Sequence, residues 1–361
     1  MTPSAVPHYP TDEADLRRRI DGALRAFLTN RRAQLTAIDI DLAPLSDAIE
    51  ALVLGGGKRL RPAFAYWGYR AAGGPDSDAV VAAVAALELV QASALIHDDL
   101  IDRSDTRRGE PAAHRRFSEV HLKAGWHGDP ADFGAAAAIL LGDACLVWSD
   151  ELLHGSGLEP QTLARCRPTF DGMRTEVTAG QYLDVLTQAT RDTSLRRAST
   201  VARYKSAKYT VERPLLLGAA IADAPVALRV AYSGFGLPLG EAFQLRDDVL
   251  GVFGDPMVTG KPAGDDLREG KRTYLIAAAL EKATPAQRDA LLARLGDPNL
   301  DAAGVADLRE IIVGTGALAR TEERIAELTT AALEALDGTR LDAEGERVLL
   351  RLAEASTHRA T

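Results

Sequence analysis

The chain has 361 residues, with 42 Lys plus Arg against 51 Asp plus Glu and a formal charge of −9. Apolar residues make up 46% and charged residues 26%, the balance of a soluble globular protein, which excludes a disordered, collagen-like or disulfide-stapled chain. The acidic balance excludes general nucleic-acid binding, which needs a net positive field, but not phosphorylated small molecules held by local cations or bridging metal ions.

In chain order, Met1 to Leu16 carries Pro3, Pro7, Pro10, Asp12, Glu13 and Asp15 without an apolar core, so it does not read as a signal peptide. About the first ten residues are expected to be flexible. Leu16, Ile20, Leu24 and Phe27 then recur at helical spacing. A break at Gly55-Gly56-Gly57 precedes Lys58, Arg59 and Arg61, with Pro62 suited to the first turn of a new helix. After Gly73-Gly74-Pro75, Ser77 or Asp78 is placed to cap a helix starting near Ala79. That helix, running to Asp102, is roughly 24 residues and about 36 Å long, apolar on all sides and then abruptly charged. This pattern predicts a central, surrounded helix whose polar end opens into a cleft. Further breaks fall at Gly125–Pro130, Gly155–Pro160, Ala224-Pro225, Gly254–Gly270 and Gly296–Pro298. Near the C-terminus, Ile325, Leu328, Ala332 and Leu336 repeat the helical spacing.

No alternating strand runs, repeats or Pro/Gly/Ser linkers are visible, so the expectation is one all-helical domain over 1–361. The apolar stretches Ala79–Ile96 and Ala135–Leu141 read as buried helices without stable membrane insertion. Glu88 and Gln91 interrupt the first, and the second is too short to span a bilayer. Cys145 and Cys166 have no metal-type spacing and read as free thiols in a reducing cytoplasm.

The chemistry concentrates in a few clusters. His97-Asp98-Asp99-Leu100-Ile101-Asp102 is a DDxxD sequence. On a helix Asp98 and Asp102 project from one face with Cβ atoms about 6 Å apart. Carboxylates that close repel unless a cation lies between them, and hard oxygen donors suit Mg²⁺, which completes its shell with water and substrate phosphates. A solvated acidic helix end has the same composition. Here, however, Arg103, Arg107, Arg108, Arg115 and Arg116 follow directly, with Gly109 and Pro111 making a turn. Acids beside arginines either neutralise one another on a surface or supply both halves of a Mg-bridged diphosphate site. A second acidic pair, Asp247-Asp248, ends another apolar helical run through Phe243, Gln244, Leu245 and Arg246. Two such helix ends could face each other across a cleft and hold metal ions between them. The segment Gly55-Gly56-Gly57-Lys58-Arg59-Leu60-Arg61-Pro62 lacks P-loop spacing and reads as a basic loop or an anion pocket. Lys205, Lys208, Lys261 and Lys271 are each, singly, ordinary surface charges.

Together these residues resemble the trans-isoprenyl diphosphate synthases, the polyprenyl synthetase family. The matching elements, in the family's order, are GGGKRLRP at 55–62, HDDLIDRSDTRRGEPAAH at 97–114, GQYLD at 180–184, KSAKYT at 205–210, FQLRDD at 243–248 and GKPAGDDLREGKRT at 260–273. They span about residues 45 to 280. The resemblance implies an isoprenoid synthase-type bundle of mostly antiparallel helices around a central cavity, and a homodimer. It implies that an allylic diphosphate loses pyrophosphate to give a carbocation, which isopentenyl diphosphate attacks head-to-tail. It also implies Mg²⁺, typically three ions, bound by Asp98, Asp102 and Asp247, with Asp99 and Asp248 in support. Lys58, Arg61 and Arg108 would hold isopentenyl diphosphate, and Gln91 falls where many relatives place a His for the same substrate. Arg107, Lys205 and Lys261 would hold the allylic diphosphate. Gln181, Asp184 and Gln244 would line the cleft, and Lys271 matches a lysine near its closing loop.

The physical sense is independent of the family. Pyrophosphate leaves poorly until its charge is neutralised, and a carbocation must be kept from water. No side chain reads as a dedicated general base, so the departing pyrophosphate is the expected proton acceptor. One departure concerns Gly251, where relatives often have a third Asp; Asp255 is a weak candidate to compensate through water. The growing chain is expected to run below Asp98, past Ser93 and Ala94, five and four positions earlier. Both are small, whereas aromatics there accompany C15 products in the family. The expected product is therefore C20, geranylgeranyl diphosphate, with farnesyl or longer-chain synthesis as alternatives; Trp148 or Leu152 are candidates for the cavity floor. A terpene cyclase would not need the GGGKRLRP pocket, and a regulatory subunit of a heteromeric synthase would have lost the acids or cations.

Overall fold

The computed structural model describes residues 13–254 and 264–357. The N-terminal segment expected to be flexible, together with Asp255 and Lys261, lies outside the described residues. The chain divides into two compact units, Met1–Tyr66 with Gly73–Cys166, and Trp67–Ala72 with Arg167–Thr361.

In the first unit, α1 (Glu13–Ile38), α2 (Ala43–Leu54), α4 (Asp78–Ile101), α5 (Ala113–Ala124) and α6 (Pro130–His154) carry the core, with the start of α3 (Leu60–Ala71). The central helix appears where the sequence predicts it. Val80, Val84, Leu87, Leu89 and Val90 of α4 are all buried, as are Leu16, Ile20, Leu24 and Leu28 of α1. Burying each of the larger of these side chains contributes about 1.5–3 kcal/mol before the entropy of ordering is subtracted. Phe27 turns instead to Trp148 of α6, edge to face, with ring centroids 6.4 Å apart. Ser77 holds the extended backbone of an N-cap residue, but its hydroxyl makes no capping bond. The neighbouring acids serve α1 instead: Arg19 donates to Asp76 at 3.0 Å and to Asp78 at 2.8 Å. Helix α6 starts as its sequence dictates, with Pro130 in the first turn and the Asp129 carboxylate accepting from the Ala131 N–H at 2.7 Å. The strand content among the described residues is one pair, β1 (Thr106–Arg107) and β2 (Glu110–Pro111), antiparallel.

In the second unit, α7 (Pro160–Thr190, from Arg167 on), α8 (Leu195–Val201), α9 (Arg213–Ile221) and α10 (Val226–Phe253) are followed by shorter helices to Thr357. Residues Ala202–Glu212 form a π-helix, which the sequence pattern did not reveal. Leu245 and Val249 of α10 pack with Ile325 and Leu328, which realises the helical spacing read near the C-terminus. Tyr232 of α10 donates its buried hydroxyl to the Gly68 carbonyl at 2.7 Å.

Candidate active site

In the first unit the acidic and basic motifs are tied together by local geometry. Arg108 and Gly109 both have positive φ, 55° and 81°, as a two-residue type I′ hairpin turn requires. The hairpin folds Arg107 back onto the end of α4, where its Nε donates to both Asp99 oxygens at 3.0 Å and its Nη2 to Oδ1. Asp99 is only 3% exposed. Burial pushes its carboxyl above the usual range; the Arg107 bonds work against this, and the Asp98 charge adds to it. Asp98 and Asp102 are half-buried, and Asp102 caps α4 through its N–H on the Asp98 carbonyl at 2.8 Å. Arg108 donates from Nη1 to the Gly56 carbonyl and, at 3.4 Å, to that of Leu52. The structure therefore brings Arg108 to the glycine turn that carries Lys58. Lys58 itself is exposed, Arg61 lies half-buried in the first turn of α3, and Gln91 is half-buried on α4, two turns before Asp98. Ser93 is buried and Ala94 half-buried.

His97 gained no role from its spacing, yet it anchors this helix end. Its Nε2 lies 3.2 Å from the Ile139 carbonyl. Its ring fills the place of a side chain at Gly142, where an added Cβ would stand 2.1 Å from Nε2. Glycine at 142 therefore lets α4 and α6 meet closely beside the first acidic motif.

In the second unit, Lys205 donates to Asp184 Oδ2 at 2.7 Å, so a residue expected to hold the allylic diphosphate is in direct contact with one expected to line the cleft. The π-helix that carries Lys205 is held by glycine approaches. A Cβ at Gly180 would lie 2.3 Å from the Lys205 amide nitrogen, and one at Gly240 would lie 2.5 Å from the Ala207 carbonyl oxygen. The π geometry thus sets where Lys205 sits. Lys208 is instead committed to Glu176 at 3.0 Å, which also takes Arg213 in a fork. Gln181 is half-buried on α7.

On α10, Gln244 Nε2 donates to Asp248 Oδ1 at 2.7 Å, and Asp247 is half-buried. Asp248 is 4% exposed. Burial pushes its carboxyl up to about 8; Gln244 opposes this, and the charges of Asp266 and Asp247 add to it. The residue missed by sequence reasoning is Asp266. A Cβ at Gly251 would meet Asp266 Oδ2 at 1.9 Å and Cγ at 2.4 Å. A carboxylate from elsewhere in the chain therefore fills the place where a third aspartate of the motif would begin. Lys271 donates to Asp266 Oδ1 at 3.3 Å and also reaches Glu269.

Among the described residues, no group of three or more His, Cys, Asp or Glu side chains could hold a metal ion by itself. The carboxylate oxygens of Asp98, Asp102 and Asp247 are hard donors of the kind Mg²⁺ takes when substrate phosphates and water supply the remaining ligands, so the residues present fit that ion.

A sequence profile described as polyprenyl synthetase matches residues 43–312, drawing on both units. The chain belongs to the polyprenyl synthetase family. It is a trans-prenyltransferase that makes prenyl diphosphates. This polyprenyl synthetase is similar to a geranylgeranyl diphosphate synthase from Methanosarcina mazei, 34% identical over 266 residues that cover 71% of this chain and 75% of the relative. It is also similar to a geranylfarnesyl diphosphate synthase from Aeropyrum pernix, 31% identical over 310 residues, 84% of this chain and 91% of the other. Among solved structures, the geranylgeranyl pyrophosphate synthase of Corynebacterium glutamicum, crystallised with isoprenyl diphosphate and magnesium, is 42% identical. It covers 97% of this chain and 100% of its own, with a TM-score of 0.93.

Proposed function

We propose that this prenyltransferase condenses isopentenyl diphosphate head-to-tail with an allylic diphosphate and releases geranylgeranyl diphosphate, C20, as its main product. The observation that carries the reading is the likeness over 97% of the chain to a geranylgeranyl pyrophosphate synthase crystallised with isoprenyl diphosphate and magnesium. Within the first unit, Lys58, Arg61, Gln91 and Arg108 bind isopentenyl diphosphate, and the contact of Arg108 with the glycine turn supports grouping them. Arg107, Lys205 and Lys261 bind the allylic diphosphate. Asp98, Asp102 and Asp247 hold Mg²⁺, taken as three ions, with Asp99, Asp248 and Asp266 in support. Bound Mg²⁺ neutralises the diphosphate and so makes it a better leaving group.

Each supporting contact keeps a reactive group aimed. The Arg107 fork on Asp99 fixes the hairpin beside the first motif, the Asp184 carboxylate orients Lys205, and Gln244 holds Asp248. Gln181 and Lys271 complete the lining and the closing loop. The allylic C–O bond breaks with its electron pair on the departing oxygen. The isopentenyl double bond then attacks the cation, and the released pyrophosphate takes the proton that leaves. Ser93 and Ala94 place no bulky side chain one turn before Asp98, which supports growth beyond C15.

The chain acts as one polyprenyl synthetase domain over 1–361, as a cytoplasmic homodimer. Helices α4 and α6 are both long and apolar enough to cross a bilayer, but α4 is buried and α6 packs on α4 and α5. On α6, Phe133, Ile139, Leu140 and Val147 remain exposed. A second copy is the partner proposed for this stripe. The test is incubation of purified protein with Mg²⁺, isopentenyl diphosphate and farnesyl diphosphate, read by product mass. A C20 product is expected; a C15 ceiling refutes the chain-length reading. Pyrophosphate release without isopentenyl diphosphate refutes the condensation.

A further inference from the structure

Two charges stand out with no part in the chemistry above. Arg59 is the middle cation of GGGKRLRP, and Glu88 interrupts the apolar helix α4. The structure joins them. Arg59 is 4% exposed and Glu88 6%. Arg59 donates from Nη1 to Glu88 Oε2 and from Nε to Asp21 Oδ1 of α1 at 2.9 Å. Its Nη2 lies 2.7 Å from the same Asp21 oxygen and donates to the Val53 carbonyl, near the end of α2, at 2.6 Å. One guanidinium thus ties α1, α2 and α4 to the glycine turn.

The turn it holds is an unusual one. Gly56 and Gly57 have φ of 108° and 130°, and Arg59 itself has φ of 52°, a left-handed conformation seldom adopted by a residue with a Cβ. A Cβ at Gly57 would stand 3.2 Å from Arg108 Nη2 and 3.6 Å from Arg59 Nη1, so both guanidinium groups flank the same glycine. They would repel if bare. Glu88 offsets this, since it attracts both: its charge opposes that of Arg59 in the field felt by Arg108. Removing Arg59 therefore frees the turn and unbalances the seat of Arg108 together.

We propose that Arg59 is a positioning residue of the isopentenyl diphosphate pocket. Locked by Glu88, Asp21 and the Val53 carbonyl, it fixes the Gly55–Arg61 turn and seats Arg108, so that Lys58, Arg61 and Arg108 are set before the diphosphate arrives. The inference rests on the pocket assignment made above. Without the lock, the cost of ordering a triple-glycine turn falls on ligand binding.

The test uses the full-length enzyme and three variants, Arg59→Lys, Glu88→Met and the double Arg59→Met/Glu88→Met. Glu88→Met alone leaves a buried cation short of a partner and lowers thermal stability, whereas the double variant removes both charges and recovers it. Calorimetry with isopentenyl diphosphate alone and steady-state kinetics with both substrates give the readout. The double variant is expected to melt near the wild type yet bind isopentenyl diphosphate about tenfold more weakly, with KM for the allylic diphosphate changed by less than about twofold. Arg59→Lys keeps the charge opposite Glu88 but loses the fork, and must show the same selective loss even if the double variant fails to fold. Wild-type affinity in a stable double variant, or a Lys variant in which both substrates weaken alike, overturns the proposal. A wild-type protein that binds isopentenyl diphosphate without turning it over sinks the condensation but leaves this test standing; one that does not bind it sinks both.

Discussion

The second acidic motif reads DDxxG, and an obvious repair is Gly251→Asp. The structure predicts that this repair damages the enzyme. A Cβ at 251 falls 1.9 Å from Asp266 Oδ2, so the carboxylate must retreat by about 1.5 Å to reach ordinary contact at 3.4 Å. It is not free to swing at will. Its Oδ1 accepts from Lys271, and the Asp266 carbonyl accepts from the Lys271 N–H at 3.0 Å. Overpacking of this size costs about 1–3 kcal/mol. The Ala variant carries that alone. The Asp variant adds a further carboxylate to Asp247, Asp248 and Asp266. A pair of like charges about 4 Å apart repels by roughly 4 kcal/mol at an effective dielectric of about 20, so Asp must be worse than Ala before relaxation.

Differential scanning calorimetry of Gly251→Ala should therefore show a Tm lowered by roughly 1–4 °C, and Gly251→Asp a larger fall. Titration of turnover with Mg²⁺ should need a higher concentration for half-maximal rate in both, since the Asp266 carboxylate has been displaced. The compensating double variant Gly251→Asp/Asp266→Ala moves the carboxylate from one backbone position to the other, and it should recover more stability than the two single effects added together predict. If Gly251→Asp matched the wild type in Tm, rate and metal affinity, Asp266 would not be filling the motif's missing position.

Asp98→Ala should lower kcat by two orders of magnitude or more with Tm nearly unchanged, since it removes a metal ligand along with its repulsion of Asp99; near-normal rates would end the metal assignment. Ala94→Phe should shift the product from C20 toward C15 by mass, and an unchanged product would place the chain-length determinant elsewhere. Burial pushes the Cys145 thiol up to about 12 and that of Cys166 up to about 11. Both thus stay protonated at pH 8, and native protein should react with a thiol reagent far more slowly than unfolded protein, which should titrate two groups.

Much of the fold was legible because its signals are local. The apolar run of α4, the glycine breaks and Pro130 after Asp129 act within one or two turns of chain, and the helices begin and end where those residues place them. The acidic and basic motifs stood out for the same reason, since each is a short run of charge beside an apolar helix or a glycine turn, and the family resemblance supplied the roles proposed for them. The π-helix at 202–212 was not. Its residues have ordinary helical character, and what widens it is the approach of Gly180 from α7 and Gly240 from α10 to the Lys205 and Ala207 backbone. Steric room supplied by another helix leaves no mark on the segment it reshapes.

The same limit governs the supporting charges, and it shows why a motif read alone looks incomplete. Gly251 looks like a loss in DDxxD, and Glu88 looks like an error in an apolar helix. Each becomes necessary once a partner distant in sequence is in place: Asp266 needs the space at 251, and Arg59 needs the carboxylate at 88. A buried charge without a partner is far costlier than either oddity. An anomalous residue inside a strong pattern is therefore a pointer to a contact from elsewhere. Here Gly251 and Glu88 lead to Asp266 and Arg59, residues within the matching motifs, beside the proposed metal and diphosphate sites, to which the resemblance assigns no role.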